Sequence, residues 1–552
     1  MHTPTRPELP TGRSAHVDRF ARDHLPPREQ WPVMDFSALP VRYGPQINCA
    51  EELLDKRIPE FGSRPAIIHD DATWTYAELL DQANRIANVL TGDLGIVPGN
   101  RVLLRAPNTR MMAACWLAVM KVGAVAVPTM PLLRAKELTY IADKAQVALA
   151  LCDARLADEL EGARERSAHL RDIVYFGTDA AGGLEARMAG VEPNFKAVNT
   201  AADDVCLIAF TSGTTGNPKG TMHFHRDVMA VSDCFPRSTL KPTKDDIFTG
   251  SPPLAFTFGL GGLLLFPMRF GAATVLVERP TPENLLAAIA RHRASVLFTA
   301  PVAFRAMLDL IADYDISSLK KCVSAGETLP LPTYRAWHEA TGIKIIDGLG
   351  STEMLHIFIA AAGNNIRPGA TGKPIPGYQA RIIGEDGAAL PPGEVGRLAI
   401  RGPTGCRYLA DERQTSYVVD GWNLTGDAYL MDADGYFWFQ ARADDMIIAA
   451  GYNISGPEVE EALLAHPSVA ECAVIGAPDE ARGTIVKAIV VPAPGFTPNE
   501  TLIKELQDFV KSQIAPYKYP RAIDFVDSLP RTETGKIQRF KLRRLELEKA
   551  RT

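Results

Sequence analysis

The chain has 552 residues, of which 46% are hydrophobic, and its formal net charge is -6. This length exceeds what one hydrophobic core usually organises, so two or more packed units are expected. The charge excludes a strongly basic surface of the kind that binds nucleic acid without regard to sequence. Eight scattered cysteines without a Cys-x-x-Cys pair or a histidine cluster at metal-ligand spacing indicate reduced thiols in a cytoplasmic protein.

The first 45 residues are rich in proline and charge and have no apolar segment of the kind that a secretory signal requires. We expect them to form a loosely held arm or a segment packed on an edge. Residues 247–268 are uncharged, but they contain three prolines and four glycines that would break a helix exposed to lipid. This stretch therefore predicts a buried strand, loop and helix and no membrane span.

From Pro65 onward, short apolar strands alternate with amphipathic helices. Helices are predicted over residues 76–90 and 110–121, and buried strands over 101–107 and 124–131. The same alternation continues through VALALCDA, IVYFG, VCLIAFTSG and VLFTAP. It predicts an α/β fold, with parallel and mixed sheets, for a large N-terminal domain spanning residues 46–442.

The sequence pattern changes near Arg442 and indicates a small α+β domain over residues 445–552. Ser455 followed by Glu458 predicts a capping box, and Pro457 suits the first helical turn. The segments AECAVIG and IVKAIVVP are typical of strands. One helical face then carries Leu502, Leu506, Phe509, Val510 and Ile514. A domain of this size can move as a unit against the larger one.

The segment FTSGTTGNPKG at residues 210–220 follows a buried strand and combines glycines, hydroxyl side chains and a lysine. Such a loop suits polyphosphate, because glycines let main-chain N–H groups approach the phosphate while hydroxyls and lysine add hydrogen bonds and charge. An ordinary turn is the alternative, and the spacing does not match a Walker loop. The candidate phosphate ligands are Thr211, Ser212, Gly213, Thr214, Thr215, Gly216 and Lys219.

Four further motifs follow in order: SAGE at 324–327, GLGSTE at 348–353, WNLTGD at 422–427 and PRTETGK at 530–536. Together with the phosphate loop, this series resembles the adenylate-forming enzymes, which include acyl- and aryl-CoA ligases, adenylation domains of peptide synthetases and firefly luciferase. The resemblance covers nearly the whole chain. It implies a large domain that binds ATP and the acid, and a mobile C-terminal lid.

The resemblance implies a nucleotide site. AMP would contact Ala325, Gly326, Glu327, Asp347, Gly348, Leu349, Gly350, Ser351 and Thr352. In the family, Thr352 corresponds to a phosphate-binding hydroxyl, Glu353 to the Mg²⁺ ligand, and Asp427 and Arg442 to ribose contacts. The family's glycine before that arginine is Ala441 here. Taken singly, the SAGE segment is also compatible with a plain turn, and an isolated Thr-Glu pair would usually have no function.

The resemblance also implies a mechanism in two half-reactions. Lys536, with Glu353 and Thr352, would assist attack of the acid carboxylate on ATP, giving acyl-AMP. The small domain would then turn about Asp444 and bring the segment Ala450, Gly451 and Tyr452 against the pantetheine arm of coenzyme A. By themselves, Lys536 is also consistent with a solvated lysine in a basic tail and Asp444 with a linker carboxylate.

The resemblance also implies an acid pocket lined by Phe256, Phe258, Gly259 and His356, and in this sequence the aromatic rings and glycines there are expected to leave room for a flat ring. STEMLHIF at 351–358 is similar to the benzoate-CoA ligase group, and AFTFGLGG at 255–262 resembles 2-aminobenzoate-CoA ligases. We therefore expect 2-aminobenzoate, with benzoate as the alternative. His356 is equally consistent with a buried histidine satisfied by the main chain.

The expected cofactors are ATP, Mg²⁺ and coenzyme A, and the expected partner is a small aromatic carboxylate. Loading of a carrier protein, a luciferase-like oxidase and a non-catalytic nucleotide-binding protein are the alternatives. Neither nucleic acid nor a membrane is expected as a partner. A homodimer is expected only from the general frequency of twofold assemblies.

Overall fold

The computed structural model describes residues 12–39, 41–69, 72–211, 218–442, 447–449, 452–479, 483–514, 518–531 and 535–549. Within these residues it has a large mixed α/β N-terminal part and a smaller α+β C-terminal part, as the sequence predicts. None of its helices in these ranges is long and apolar enough to cross a membrane. The uncharged stretch 247–268 forms a strand followed by loop and short helices, as predicted.

A six-stranded sheet forms the first layer. The strands up to residue 224 are β1 (Pro65–Ile68), β2 (Thr73–Thr75), β3 (Arg101–Arg105), β4 (Val125–Thr129), β5 (Leu149–Asp153), β6 (Asp172–Phe176), β7 (Val205–Phe210) and β8 (Gly220–Phe224). The helices are α1 (Phe20–Asp23), α2 (Cys49–Leu53), α3 (Ile58–Phe61), α4 (Tyr76–Asn88), α5 (Arg110–Lys121), α6 (Ala135–Lys144), α7 (Ala157–Arg164) and α8 (Leu184–Met188). The sheet order is β6-β5-β3-β4-β7-β8, and only the last pair is antiparallel. The phosphate segment thus connects two neighbouring antiparallel strands.

A nine-stranded sheet lies beside the first and carries the other predicted motifs. Its remaining strands are β9 (Ile247–Gly250), β10 (Ala273–Val275), β11 (Val296–Thr299), β12 (Lys321–Ala325), β13 (Ile345–Gly350), β14 (Ile357–Ala360) and β15 (Lys373–Pro374). The helices are α9 (His225–Phe235), α10 (Thr257–Leu260), α11 (Phe266–Phe270), α12 (Pro282–His292), α13 (Pro301–Leu308) and α14 (Leu331–Thr341). The order is β15-β14-β13-β12-β11-β9-β10-β1-β2, with the six strands from β13 to β1 parallel. Their carboxyl ends therefore share one edge.

An antiparallel sheet completes the large domain. It contains β16 (Gln379–Ile383), β17 (Val395–Arg401), β18 (Val418–Val419), β19 (Trp422–Met431) and β20 (Phe437–Arg442), with α15 (Gln414–Tyr417) before β18. The strand β19 pairs with β17, β18 and β20. This strand carries the predicted ribose-binding aspartate.

The small domain contains β21 (Ile447–Ala449), β22 (Tyr452–Ile454), α16 (Gly456–Leu464), β23 (Val469–Asp479), β24 (Gly483–Pro492), α17 (Glu500–Gln513), β25 (Ala522–Phe525) and α18 (Arg539–Lys549). Ser455 caps α16, since its side chain accepts a hydrogen bond from the main-chain N–H of Glu458 at 3.3 Å. The second half of the predicted capping box differs, because the Glu458 carboxylate pairs with Lys518 at 2.6 Å. An ion pair with Lys518, 60 positions later in the chain, thus takes the place of the predicted hydrogen bond from the Ser455 main chain to Glu458.

The described part of the N-terminal segment packs on the large domain. The ring of Trp31 lies 5.6 Å from that of Phe224, and Ser14 Oγ donates to Asp204 at 2.5 Å. Met34 and Gly402 form an isolated parallel bridge. Buried contacts therefore hold this segment against two sheets.

All eight cysteines are buried and none forms a disulfide. Cys49, Cys206 and His225 come from three different elements, and their ligand-capable atoms all lie within 4.8 Å of one another. The sequence spacing did not indicate this cluster, because its members are brought together only by the packing of α2, β7 and α9.

Candidate active site

Two predicted nucleotide segments lie side by side. The strands β12 and β13 are parallel neighbours, with Ser324 opposite Asp347 and Ala325 opposite Gly348. Both strands end at the same edge of the sheet, so the SAGE segment and the Thr-Glu segment lie next to each other. The register of one strand pair is enough to bring together motifs that are more than 20 residues apart.

The chain turns sharply after Thr352. The main-chain N–H of Leu355 donates to the Thr352 carbonyl at 3.2 Å, and Leu355 is buried with a left-handed φ of 70°. A bulky side chain rarely adopts this conformation, and such backbone outliers concentrate at functional sites. The turn separates Glu353, which faces Tyr408, from His356, which packs among aromatic rings.

A buried histidine supports the same turn from below. His223 contacts the Thr352 carbonyl through Nε2 at 2.8 Å. A carbonyl can only accept, so Nε2 carries the proton. Burial lowers the pKa of His223 to about 3, which keeps the ring neutral.

Glu353 lies where the phosphate segment ends. Its Oε1 accepts a hydrogen bond from the Tyr408 hydroxyl at 2.5 Å and is 3.8 Å from Lys219 Nζ. The ammonium of Lys219 also lies over two rings, 4.8 Å from the centroid of Tyr408 and 5.8 Å from that of Tyr417. The structure thus places two residues with predicted phosphate and metal roles beside each other.

The base of the phosphate segment is closed by its two ends. The main-chain N–H of Thr211 donates to the Lys219 carbonyl at 2.9 Å, and the Lys219 N–H donates to Thr211 Oγ1 at 3.3 Å. The predicted ligands between them, Ser212, Gly213, Thr214, Thr215 and Gly216, lie outside the described residues. Thr211 and Lys219 are 8 positions apart in the sequence, and these hydrogen bonds join them at the two ends of the phosphate segment.

The predicted ribose ligands occupy paired strands. Asp427 on β19 is 8% exposed and lies opposite Arg442 on β20. The main-chain N–H of Asp427 donates to Thr425 Oγ1 at 3.3 Å. The side chains of Arg442 and Tyr452 lie outside the described part of the structure, as do all of Asp444, Ala450 and Gly451.

Lys536 is close enough to Glu327, in the SAGE segment, for its charge to influence that carboxyl group. Burial raises the pKa of Glu327, and the positive charges of Arg531, Lys536 and Arg539 oppose that rise. Arg531 donates to the Gly535 carbonyl at 2.6 Å and pairs with Glu471 at 2.6 Å. The residue before Lys536 is therefore anchored to the body of the small domain.

Two other residues of the nucleotide segments have distinctive surroundings. Burial raises the pKa of Asp347 to about 8. Gly326 has a φ of 92°, and a Cβ added to it would meet no protein atom within 4 Å. The backbone conformation is thus a reason for glycine here, besides the predicted need for space beside adenine.

The predicted pocket residues Phe258 and His356 are neighbours, with ring centroids 5.8 Å apart. Phe266 meets His356 edge-on at 4.5 Å, and Phe298 lies 5.5 Å from Phe258. Burial lowers the pKa of His356 to about 3. Phe256 is partly exposed at the start of α10 and shares no ring contact with these four among the described residues.

The glycines near the pocket serve close packing, which corrects the expectation that they leave room for a flat ring. A Cβ on Gly259 would lie 2.1 Å from the Pro253 carbonyl oxygen, and one on Gly261 would lie 2.2 Å from Cδ2 of His356. Protein atoms already occupy the space that a side chain would need. Room for a ligand must come from elsewhere around the aromatic cluster.

Four residues of this region were absent from the sequence prediction: His223, Phe298, Tyr408 and Tyr417. None of them belongs to a motif that was recognised in the sequence. Their importance follows from contacts with residues 40 or more positions away in the chain, and a sequence pattern does not reveal such contacts.

The donor set suits the cofactors expected from the motifs. A carboxylate oxygen is the ligand that Mg²⁺ prefers, and Glu353 lies at the mouth of the phosphate segment. Lys219 supplies positive charge for a polyphosphate in the same place. ATP, Mg²⁺ and coenzyme A are the cofactors of CoA ligases that form acyl-adenylates.

Comparison with known proteins agrees with this geometry. The family described as AMP-binding enzyme matches residues 54–408, and the AMP-binding enzyme C-terminal domain matches residues 458–536. A benzoate–CoA ligase of Thauera aromatica is 36% identical over 513 residues, 92% of this chain and 96% of that protein.

Two solved structures have the same fold. The anthranilate CoA ligase AuaEII in complex with anthranoyl-AMP has a TM-score of 0.87 and 35% identity, covering 92% of this chain and 99% of that one. A benzoate CoA ligase from Burkholderia xenovorans LB400 has a TM-score of 0.83 and 33% identity, covering 90% and 100%. The chain therefore belongs to the AMP-binding enzyme family, and within it to the adenylate-forming acid–CoA ligases of the aryl-CoA group.

Proposed function

We propose that this aryl-CoA ligase activates 2-aminobenzoate, forming 2-aminobenzoyl-AMP and then 2-aminobenzoyl-CoA. The observation that carries this choice is the hydrogen-bonding state of His356. Its Nε2 lies 3.3 Å from the Phe258 carbonyl oxygen, which can only accept, so Nε2 holds the proton. The other ring nitrogen, Nδ1, is then an acceptor.

That acceptor is buried and has no hydrogen-bond partner among the described residues. A buried acceptor without a partner costs free energy, on the order of 1–3 kcal/mol, and a ligand that donates to it recovers this cost. The 2-amino group of 2-aminobenzoate carries such a donor, whereas the ortho C–H of benzoate does not. We propose that the amino group donates to Nδ1 of His356.

The first half-reaction follows from the proposed site. A carboxylate oxygen of the acid attacks the α-phosphorus of ATP, the bond to the bridging oxygen breaks, and pyrophosphate leaves. Lys536 and the Thr352 hydroxyl would stabilise the charge that develops on the α-phosphate. Glu353 would hold Mg²⁺, which neutralises charge on the polyphosphate when bound.

In the second half-reaction the sulfur of coenzyme A attacks the acyl carbon, AMP leaves with the bonding electrons, and the thiol proton passes to solvent. We propose that residues 445–552 turn about Asp444 between the two steps, withdrawing Lys536 and presenting the segment 450–452 to the pantetheine arm. The positive charges of Arg531, Lys536 and Arg539 oppose the rise in the pKa of Glu327, and this influence on a nucleotide segment supports the role proposed for Lys536 in the first step. We also propose a cytoplasmic location, on the ground of the eight unpaired thiols.

Benzoate is the second candidate. It is favoured by the 36% identity to the Thauera aromatica benzoate–CoA ligase and by the apolar lining that Phe258, Phe266 and Phe298 provide. In that case Nδ1 of His356 would meet an aromatic C–H.

The deciding experiment measures kcat/KM for AMP formation with 2-aminobenzoate, benzoate and the hydroxybenzoates, with and without coenzyme A. The wild type and His356→Leu are compared, with Phe266→Leu as the control because it disturbs the same cluster without removing an acceptor. We expect the wild type to prefer 2-aminobenzoate. His356→Leu should lower the ratio of 2-aminobenzoate to benzoate by about tenfold, while Phe266→Leu leaves the ratio near its original value.

Each other outcome has a definite meaning. A wild type that prefers benzoate supports the second candidate. An unchanged ratio in His356→Leu contradicts the role of Nδ1. Adenylate that is never transferred to coenzyme A points to loading of a carrier protein, and ATP binding without AMP formation points to a non-catalytic protein.

A further inference from the structure

Glu353, the proposed Mg²⁺ ligand, is held from one side by a second buried residue. The Tyr408 hydroxyl donates to Glu353 Oε1 at 2.5 Å, a short distance of the kind seen when a hydroxyl donates to a charged carboxylate. Glu353 is 6% exposed and Tyr408 is 1% exposed. A hydrogen bond in such surroundings does not compete with water and restricts the carboxylate to one orientation.

The position of Tyr408 is itself fixed by several contacts. Its main-chain N–H donates to Gln414 Oε1 at 2.9 Å, and it forms an isolated bridge with Thr221. Its ring meets that of Tyr417 nearly edge-on, at 5.7 Å and 69°. Neither the main chain nor the ring is free to follow a movement of Glu353.

The second neighbour of the same oxygen is held less firmly. Lys219 Nζ is 3.8 Å from Oε1, beyond the distance of a good hydrogen bond, and its side chain is 24% exposed. The lysine stem has four rotatable bonds, and its ammonium lies over the faces of Tyr408 and Tyr417. Lys219 can therefore leave Glu353 for a phosphate without disturbing Tyr408.

We infer that Tyr408 is a positioning residue that holds the Glu353 carboxylate in place for the cation that accompanies ATP. The inference rests on the proposed function, because Glu353 is taken there as the Mg²⁺ ligand. Lys219 is the exchangeable neighbour, which neutralises Glu353 before ATP binds and pairs with the polyphosphate afterwards. Tyr408 then remains as the fixed partner of a carboxylate whose other lone pairs are offered to the cation.

The test compares Tyr408→Phe with Tyr417→Phe. Both changes remove one hydroxyl and keep the ring over Lys219, but the Tyr417 hydroxyl lies 3.4 Å from Ser351 Oγ and not on Glu353. Mn²⁺ is titrated by electron paramagnetic resonance in the presence of an ATP analogue that cannot be cleaved between its α- and β-phosphates. This readout needs no turnover.

We expect Tyr408→Phe to weaken Mn²⁺ binding on the order of tenfold, since a hydrogen bond to a charged group is lost, and Tyr417→Phe to leave it near that of the wild type. The Mg²⁺ concentration for half-maximal AMP formation should rise by a similar factor, with KM for the acid unchanged. Wild-type Mn²⁺ affinity in Tyr408→Phe, or equal weakening in both variants, would overturn the inference. If the wild type forms no AMP from any acid, the proposed function fails, while the Mn²⁺ titration still decides the role of Tyr408.

Discussion

His223 donates a hydrogen bond from Nε2 to the main-chain carbonyl of Thr352, 2.8 Å away and 129 positions later in the chain. The histidine is fully buried on β8, directly after the phosphate segment. The hydrogen bond connects β8, the strand that follows the phosphate segment, to the turn that carries Thr352 and Glu353. Two segments that we propose act on the same nucleotide are thereby joined by one buried hydrogen bond.

Replacing His223 tests this support. His223→Leu should slow pyrophosphate release about tenfold and lower the free energy of unfolding by about 1–3 kcal/mol, because a buried carbonyl loses its donor. His223→Gln can place an amide N–H near the same position and should retain more of both. Rates from pyrophosphate release and unfolding in urea give the two quantities, and equal losses in both variants would contradict a role for the donor.

Asp347 should make the stability of the ligand-free protein fall with rising pH. Burial raises its pKa from 3.8 to about 8, so the folded protein keeps a proton that the unfolded chain releases. The stability that this proton contributes to the folded protein is complete below pH 3.8 and is lost progressively as the pH rises to about 8.

Asp347→Asn should remove this decline. The difference in stability between the variant and the wild type should therefore be more favourable to the variant at pH 8.5 than at pH 5. Urea unfolding at several pH values measures the effect. Asp309→Asn, which changes an exposed carboxylate, serves as the control. A difference between wild type and Asp347→Asn that does not vary with pH would refute the assignment.

Arg531 should matter for one half-reaction only. It anchors Gly535, the residue before Lys536, through a hydrogen bond of 2.6 Å. Arg531→Gln should lower the rate of adenylate formation about tenfold, because a small displacement of a positioned group costs catalysis. Thioester formation from aryl-AMP supplied in solution should be nearly unchanged.

The control for this experiment is Lys541→Gln, which removes an exposed positive charge from the same end of the chain. Both half-reactions should proceed normally in that variant. If Arg531→Gln slows both half-reactions equally, Arg531 supports the small domain as a whole and not the position of Lys536.

We expect a buried ion pair, formed by Arg407 and Asp227, to stabilise the protein only while both charges are present. Arg407 and Asp227 are both fully buried and in direct contact, and the guanidinium lies 4.0 Å from the ring centroid of Phe224. Removing one partner leaves the other charge buried, so Asp227→Asn should lower the free energy of unfolding by about 3–5 kcal/mol.

The double variant Asp227→Asn with Arg407→Met should be more stable than Asp227→Asn alone, because no charge is left without its partner. Thermal and urea unfolding of the wild type, Asp227→Asn, Arg407→Met and the double variant measure this coupling. Purely additive losses would show that the charges act independently.

Local sequence determined the elements and the order of the motifs. The helix α5 begins and ends where its periodicity predicts, and Ser455 caps α16, because both depend on neighbours within four residues. The family motifs were recognisable for the same reason, since each is a short continuous segment.

Tertiary structure decided how these segments meet. The tautomer of His356 depends on a carbonyl 98 residues away, and the orientation of Glu353 depends on Tyr408, 55 residues away. A Cβ on the glycines beside the predicted pocket would meet His356 or a main-chain carbonyl, where the sequence had suggested open space. Strand register and side-chain packing set these distances, and both arise from the simultaneous burial of many distant residues, which no local pattern encodes.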